Sequence, residues 1–335
     1  MTTPLHAHGF SLRKRALVRA FTGRRDVRFV RRGQDVPPGA QLLLWGAAPL
    51  PSGLPEGVRI VRVEDGFLRS VGLGADLVRP LSWVLDDQGI YFDARRPSAL
   101  EQLLQHASFE ATELQRAAAL RARIVQAGLT KYNLAAAPWQ PRAHGRPLVL
   151  VAGQVETDAS IACGSVDIAT NLGLLQAVRQ ARPDAHIVYK PHPDVAAGLR
   201  GAGQGEQEAH RFCDEVLREA ALPELLRQVD EVHVLTSLTG FEALLRGKRV
   251  TCWGQPFYAG WGLTEDRHPH PRRSRRLALD ELVAGALLRY PVYLGRSNGA
   301  RCTPEQALDE LLQWRARQPA TARWRRWLRP LLARP

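Results

Sequence analysis

Four carboxylates in this sequence could take part in chemistry, because each one ends or follows a segment predicted to be a strand. Glu64 and Asp65 follow an apolar, β-branched segment in the first half, and Glu156 and Asp158 follow another in the second half. Carboxylates on the two sides of a cleft suit acid–base or nucleophilic work at a sugar centre, where charge builds as the leaving group departs. Solvated surface acids are the alternative, and the adjacent glycine and aromatic residues argue against it.

Lys190 and His192 form a candidate anion site. Each is followed by a proline, and the two prolines fix φ and so lower the entropy lost when the loop binds a ligand. An ammonium group and an imidazole two residues apart could both contact a phosphate or a carboxylate. A turn with incidental polar residues is the alternative.

A second candidate anion site lies at a predicted helix start, where Ser237, Thr239 and Gly240 occur together. Free backbone N–H groups and the helix dipole favour a phosphate at such a place, whereas simple N-capping explains only one of the hydroxyls. The sequence has neither a P-loop nor a glycine-rich dinucleotide fingerprint with its acidic partner. An ordinary NTPase or dinucleotide enzyme is therefore disfavoured.

Aromatic and glycine residues alternate after a further predicted strand, in the order Phe257, Tyr258, Gly260, Trp261 and Gly262. Glycine beside aromatic rings lets the backbone approach a flat or ring-shaped ligand closely. We therefore predict a binding loop at a strand end, with a plain packing turn as the alternative.

Strands and helices alternate in the second half, which predicts a parallel sheet with ligand-binding loops at its C-terminal edge. The polar segments of this half all follow predicted strands, so they should meet at that edge. The predicted strands cover residues 148–152, 186–189 and 232–236 and a segment from Val250, and the predicted helices cover residues 171–182 and 240–246.

The first half contains predicted strands over residues 41–46 and 58–63. A helix is predicted to start after Ser98, an N-cap residue with Glu101 three positions later, and a second helix covers residues 110–128.

The length of 335 residues exceeds the usual domain size of about 100–200 residues, so we expect two domains that share a cleft. Residues 135–147 are rich in alanine and proline and break all periodicity, which predicts a linker. The predicted divisions are residues 1–140, residues 148–285 and a final helical segment, residues 286–335.

The sequence favours a cytoplasmic protein. No apolar run approaches the ~20 residues that span a bilayer, and arginine interrupts any apolar region near the N-terminus, unlike in a signal peptide. The four cysteines lie far apart without a C-x-x-C pair, which argues against a structural zinc site and a disulfide framework.

The net charge of +13 admits nucleic acid, an anionic membrane or an acidic sugar as a partner. Near the C-terminus, Trp314, Trp324 and Trp327 are interleaved with arginines and followed by leucines. Tryptophan, leucine and arginine together are typical of a helix that lies on an anionic membrane surface. A terminal helix packed on its own protein is the alternative.

These motifs together resemble the capsule-polysaccharide β-Kdo transferases of the KpsC type, which are retaining enzymes that use CMP-Kdo. The resemblance covers most of the chain, although KpsC proteins commonly carry two such modules in tandem and this chain is long enough for one. The matching segments are residues 64–74, 86–101, 153–156, 190–193 and 236–266.

The resemblance implies an α/β fold of two Rossmann-like domains related to GT-B, with the acceptor on the first half and the nucleotide donor on the second. Asp158 corresponds to the candidate nucleophile, and Glu64 or Asp65 would be the base that deprotonates the acceptor hydroxyl. The implied donor-binding residues are Gln154, Glu156, Lys190, His192, Ser237, Thr239, Gly240 and Glu242. The implied sugar and acceptor pocket comprises Arg69, Phe257, Tyr258, Gly260, Trp261 and Gly262.

We expect no metal and no cofactor other than the CMP-Kdo donor substrate. The expected acceptor is a glycan or lipid-linked glycan, the anionic inner membrane is an expected surface partner, and capsule biosynthesis and export proteins are possible partners. A non-catalytic module that binds acidic glycan or lipid for capsule assembly or export is the strongest competing class. A nucleic-acid-binding protein is a weaker third class, because the charge fits but no known binding motif occurs.

Overall fold

The structure is a computed structural model that describes residues 4–72, 78–133, 139–142 and 145–317. Its first half alternates short apolar strands with helices. The predicted strands over residues 41–46 and 58–63 are confirmed as β3 and β4. In chain order the elements are β1 (Leu5–His8), α1 (Leu12–Thr22), β2 (Arg28–Val30), β3 (Gln41–Trp45), β4 (Arg59–Asp65), β5 (Ser82–Asp86), α2 (Ala99–His106) and α3 (Ala111–Gln126).

The start of α2 agrees with its sequence signal. The Ser98 side chain accepts a hydrogen bond from the Glu101 backbone N–H at 3.1 Å, which satisfies one of the free donors of the first turn. The predicted helix over residues 110–128 is confirmed as α3.

The second half folds into a parallel sheet, as its alternating pattern predicted. The predicted strand bounds agree with the structure to within two residues at each end. In chain order the elements are β6 (Leu148–Ala152), α4 (Ala159–Gly164), α5 (Asn171–Ala181), β7 (His186–Lys190), α6 (Pro193–Ala196), β8 (Glu215–Val216), α7 (Leu222–Gln228), β9 (Glu231–Val234), α8 (Leu238–Leu245), β10 (Arg249–Cys252) and β11 (Glu265–Asp266).

The strand order of this sheet is β11-β10-β9-β6-β7-β8, and every neighbouring pair is parallel. The chain runs from β6 to β7 and β8 on one side, then returns to β9 on the other. This reversal creates a crevice at the carboxyl ends of β6 and β9, the place where open α/β sheets bind ligands.

The end of the described chain returns to the first sheet. It forms α9 (Leu279–Val283), a π-helix (Ala284–Arg289), β12 (Pro291–Leu294), β13 (Arg301–Cys302) and α10 (Pro304–Arg317). The strand order of the first sheet is therefore β13-β12-β5-β4-β3-β1-β2. Strands β2, β1, β3 and β4 run parallel to one another. The neighbouring pairs β4–β5, β5–β12 and β12–β13 are antiparallel.

Helix α10 packs against α3 of the first half. Arg116 of α3 forms an ion pair with Glu305 at 2.6 Å, and Arg123 forms another with Asp309. The described part of the predicted segment 286–335 thus packs on the first half. Trp324 and Trp327 of the predicted membrane tail lie outside the described residues, as do residues 134–138 and 143–144 of the predicted linker.

One hydrophobic core cluster draws residues from both halves. At its centre the ring of Phe67 stacks on that of Phe257, with centroids 4.8 Å apart. Tyr91 of the first half meets Phe257 edge-on at 5.7 Å, and Phe241 of α8 lies 5.8 Å from Phe67. These contacts between large aromatic side chains fix the position of the two sheets relative to each other.

A buried ion cluster makes a second link between the halves. The Glu101 carboxylate of α2 accepts hydrogen bonds from Arg272 at 2.6 Å and from buried Arg273 at 3.1 Å. Arg273 also donates to the carbonyls of Pro256 and Ala259. Burial works to raise the pKa of Glu101, but the hydrogen bonds and charges of the two arginines outweigh it and lower that pKa.

Substitution Glu101→Ala should strongly destabilise the protein, because it leaves the Arg273 charge buried without its carboxylate. Breaking a buried ion pair in this way costs about 3–5 kcal/mol. We expect that loss in the free energy of unfolding measured by urea denaturation. Glu208→Ala is the matched control, because it removes an exposed partner of Arg211 and should cost less than about 1 kcal/mol. Equal losses in the two variants would contradict the role given to Glu101.

Candidate active site

The carboxylates at the end of β4 are held differently from each other. The Arg69 guanidinium donates from Nε to Asp65 Oδ2 at 2.5 Å and from Nη1 to Ser70 Oγ at 2.8 Å. Glu64 instead accepts a hydrogen bond at Oε1 from the Asp65 backbone N–H at 2.9 Å. Asp65 is therefore paired with a cation, whereas Glu64 contacts a neutral donor.

The pKa of Glu64 is strongly raised. Its burial, together with the neighbouring Asp65 carboxylate, raises the pKa of Glu64 to about 7, although Lys131 and Lys14 oppose the shift. A carboxyl group with a pKa near neutral pH can both accept and release a proton under working conditions. Glu64 is therefore suited to act as a base, whereas the Asp65 carboxylate is already paired with Arg69.

Asp158 lies on the opposite side, in the loop between β6 and α4. It is the N-cap of α4, where Oδ1 accepts a hydrogen bond from the Ser160 backbone N–H at 2.8 Å. Its side chain is exposed. The cap fixes the carboxylate at the C-terminal edge of the second sheet, beside the β6–β9 crevice.

Lys190 ends β7 at the same edge. Burial lowers the pKa of Lys190 to about 8, and no hydrogen bond or ion pair of its ammonium group occurs among the described residues. A partly desolvated cation without a carboxylate partner is suited to bind an anion.

His192 caps the short helix α6. Its Nδ1 accepts a hydrogen bond from the Asp194 backbone N–H at 3.1 Å, and burial lowers its pKa. The neutral ring therefore carries its proton on Nε2 and can donate it to a ligand.

Tyr91, Lys131 and Tyr132 also belong to this region, and the sequence analysis missed them. Burial raises the pKa of Tyr91, and the charges of Lys131, Glu64, Asp65 and Asp158 all act on it, so carboxylates of both halves lie within electrostatic range of one phenol. Burial disfavours the charged form of Lys131, but the groups around it, which include Asp65 and Glu64, outweigh this effect and raise its pKa.

A sequence signal for these residues existed but was weak. Lys131, Tyr132 and Asn133 form a polar triplet between the end of α3 and the predicted linker, after Gly128, Leu129 and Thr130. Asn133 fixes the triplet, since its amide donates to the Ser70 carbonyl at 2.9 Å.

Two of the predicted donor-binding residues hold loops together. Buried Gln154 accepts from the Thr236 backbone N–H at 2.8 Å and donates to Thr236 Oγ1 at 3.0 Å, which ties the loop after β6 to the loop after β9. Glu156 accepts from the backbone N–H groups of Asn171 at 2.7 Å and Gln204 at 2.8 Å. Both residues shape the crevice through these bonds.

The start of α8 lies beside the same crevice. Ser237 is its N-cap and accepts a hydrogen bond from the Thr239 backbone N–H at 3.2 Å. A Cβ atom on Gly240 would come within 2.3 Å of the Tyr258 hydroxyl oxygen, so glycine is needed there for close packing. That hydroxyl donates to the Ser237 carbonyl.

Glu242, one of the implied donor-binding residues, is buried in α8. Its Oε1 accepts from the Lys131 backbone N–H at 2.8 Å, across the junction between the halves. Burial raises the pKa of Glu242 to about 7, and Arg246 and Lys131 oppose the shift. In this structure Glu242 braces the segment that carries Lys131.

The aromatic loop after β10 differs most from its predicted use. Phe257, Tyr258 and Trp261 are buried at 5%, 0% and 0% exposure, so their rings pack in the core and do not line an open sugar pocket. Trp261 Nε1 donates to the Phe257 carbonyl at 2.8 Å. Gly260 and Gly262 have φ of 86° and 78°, so they serve the turn. The packing turn is the correct alternative for the rings.

The arrangement as a whole is a cleft between two sheet edges. The first half contributes Glu64 and Asp65, the second contributes Asp158, Lys190 and His192, and all five are exposed or only half-buried. Such a site offers a nucleophilic carboxylate, a base that titrates near neutral pH and a cation for an anionic leaving group.

The profile of the family described as capsule polysaccharide biosynthesis protein matches residues 54–135 and 111–301. A curated relative, the capsule polysaccharide modification protein LipA of Neisseria meningitidis serogroup B, is 43% identical over 319 residues. The alignment covers 92% of this chain and 45% of LipA. The chain therefore spans about half the length of the curated relative.

Two solved structures from Thermosulfurimonas dismutans are also similar. The KpsC β-Kdo 2,7 transferase is 39% identical, with a TM-score of 0.78, and the match covers 92% of this chain and 99% of that one. The KpsC β-Kdo 2,4 transferase is 32% identical, with a TM-score of 0.81, over 93% and 99% of the two chains. The predicted two-domain GT-B-like α/β class is thereby confirmed.

Substitution Glu242→Gln should change how stability depends on pH. Because the folded-state pKa of Glu242 is raised, its contribution to stability is complete below its ordinary value of 4.5 and is lost as pH rises through about 7. Glutamine can still accept from Lys131 but does not ionise. The variant should gain about 3 kcal/mol relative to the parent between about pH 5 and about pH 8.

Urea denaturation at the two pH values measures this gain, with the exposed Glu219→Gln as the matched control. A Glu242 variant whose stability depends on pH as that of the parent does would contradict the buried position of this carboxyl group.

Proposed function

Because the chain belongs to the capsule polysaccharide biosynthesis protein family, we propose that it transfers Kdo from CMP-Kdo to a glycan or glycolipid acceptor with retention of configuration. The observation that carries this proposal is that Glu64 and Asp65 of the first half and Asp158 of the second all lie within electrostatic range of Tyr91, at the junction between the halves. The similarity to two Kdo transferases supports the sugar.

The donor would bind at the crevice of the second sheet. Lys190 and His192 would hold the anionic groups of CMP-Kdo, which are its phosphate and the Kdo carboxylate. The ammonium of Lys190 supplies charge and His192 Nε2–H supplies a hydrogen bond. The N–H groups at the start of α8 would add donors for the phosphate.

In the first step Asp158 attacks the anomeric carbon of Kdo. A bond forms between that carbon and a carboxylate oxygen, and the bond from the carbon to the phosphate oxygen breaks, so CMP leaves with the electron pair. Lys190 would stabilise the negative charge that develops on the departing phosphate.

In the second step an acceptor hydroxyl attacks the same carbon and releases the Asp158 carboxylate. Glu64 takes the hydroxyl proton, for which its pKa of about 7 is suitable. Each step inverts the anomeric centre, so two steps give net retention.

The acceptor, by this proposal, is a glycan or lipid-linked glycan held mainly by the first half, and the protein works at the cytoplasmic face of the inner membrane beside capsule biosynthesis and export proteins. Among the residues that the structure describes, no helix is both long and apolar enough to span a membrane.

Substitution Asp158→Asn should abolish Kdo transfer and leave CMP binding intact, because asparagine still caps α4 but is a poor nucleophile. Intact-mass spectrometry of the parent with donor should show an adduct of one Kdo, and the variant should show none. Asp167→Asn, an exposed change in the same region, is the control. Near-normal transfer by the Asp158 variant would move the role to Glu156 or to the Glu64–Asp65 pair.

The affinity for CMP should fall as pH rises through about 8, because burial sets the pKa of Lys190 near that value and its ammonium is charged only below it. We expect a loss of roughly tenfold between about pH 7 and about pH 9 by calorimetry. Lys190→Ala should lose roughly tenfold at pH 7 and lack this dependence, because a charge-assisted hydrogen bond contributes about 1.5–3 kcal/mol. Lys190→Arg should keep its affinity at high pH. The same pH dependence in Lys190→Ala would exclude this lysine as its source.

A further inference from the structure

Two large apolar side chains are exposed at one edge of the first sheet. Leu12 is 78% exposed and begins α1, just after β1, and Leu50 is 53% exposed and follows β3. Strands β1 and β3 are neighbours and parallel, so the segments that leave them emerge at the same edge. Folding leaves both side chains in water, which suggests a partner surface.

Contacts connect these segments into one surface. The Lys14 ammonium of α1 lies 3.1 Å above the ring of Trp45, and Phe10 meets the same ring edge-on. On the other side of Leu50, the Ser52 carbonyl accepts a hydrogen bond from the Gly33 backbone N–H at 3.2 Å. The first turn of α1 thus lies against Trp45 at the end of β3, and the segment after β2 lies against the loop that carries Leu50.

The charge of this region is strongly positive. Residues 13–32 contain nine arginines and lysines and one acid, Asp26, so they hold +8 of the net +13. Arg13, Arg31 and Arg32 are exposed at the edge that carries Leu12. The acidic residue that follows this basic segment in sequence is Asp35, and its carboxylate accepts a hydrogen bond from the Arg32 backbone N–H. Asp26 pairs with Arg24 before β2, toward the opposite edge.

We propose that the docking rim, formed by Leu12, Arg13, Arg31, Arg32 and Leu50, binds the surface of an anionic lipid bilayer. Apolar side chains that enter the headgroup region, flanked by arginines that meet lipid phosphates, are the combination that interfacial membrane sites use. Each basic residue near such a surface strengthens binding about fivefold.

The rim also explains how the cleft could reach a lipid-linked acceptor. Glu64 and Asp65 end β4, the next parallel strand beyond β3, so they lie at the same edge as the rim. A bilayer on the rim would therefore place the headgroup region next to the proposed base. This consequence depends on the proposed function, but membrane binding by the rim does not.

Co-sedimentation of the full chain with vesicles tests the rim. The vesicles are phosphatidylcholine alone or phosphatidylcholine with about one quarter phosphatidylglycerol. Arg31→Glu with Arg32→Glu should weaken binding to the anionic vesicles at least tenfold. Arg25→Glu with Arg249→Glu is the matched control, because it makes the same charge change at residues that precede β2 and begin β10, on the opposite edges. The control should change binding less than about threefold.

A second pair of variants tests the apolar part. Leu12→Ser with Leu50→Ser should also weaken binding to anionic vesicles, whereas Val216→Ser, on the edge strand of the other sheet, should not. Residues 318–335 are the same in every variant, so any membrane contact of the tail cancels in the comparison.

Equal binding by the rim variant and its charge control would overturn the proposal, because binding would then depend only on the overall positive charge of the protein. Transfer of Kdo to a soluble acceptor should be unchanged in all these variants. If the proposed function is wrong, the parent protein will show no Kdo transfer in that assay. If the rim does not bind membranes, only the sedimentation result will differ from the expected one, so the two failures are distinguishable.

Discussion

The stacking of Phe67 on Phe257 is the contact on which the geometry of the cleft depends. It joins the segment that follows Asp65 to the loop that follows β10, and Tyr91 and Phe241 surround it. Since aromatic side chains of this size bury large areas, the two halves are held in one relative position. That position brings Glu64, Asp65 and Asp158 within electrostatic range of the Tyr91 phenol. Without it, the sheet edges would still exist, but their carboxylates would not share a site.

Within the part of the chain that the structure describes, two titratable groups near the cleft lack the close ion pairs that hold buried charges elsewhere in the protein. Burial keeps the pKa of Glu64 near 7 and that of Lys190 near 8, so each group is held close to its neutral form. Elsewhere the protein pairs its buried charges, as with Glu101 and its two arginines. Groups whose pKa values are strongly shifted by burial in a cleft are candidates for a functional site.

The sequence predicted the second sheet well because its signals are local. Short apolar strands alternate there with helices, and the polar loops between them meet at one edge by the geometry of parallel strands alone. The same local logic identified Ser98 as an N-cap and Asp158 as a residue at a strand end. The aromatic loop was misjudged because packing between halves is not local: nothing in residues 257–262 indicates that Phe67 comes to meet them. The position of Glu242 and the place of Lys131 near the cleft escaped prediction for the same reason, since the hydrogen bond between these residues spans more than a hundred positions in the sequence.

The stereochemistry of the transfer product tests the central claim most directly. The chain is incubated with CMP-Kdo and a soluble Kdo-terminated acceptor, and the new linkage is assigned by NMR spectroscopy while CMP release is followed. The account predicts stoichiometric release of CMP and a new Kdo residue with the anomeric configuration of the donor. An inverted linkage would exclude the two-step route through Asp158. Binding of the donor without any release of CMP would instead indicate a glycan-binding module.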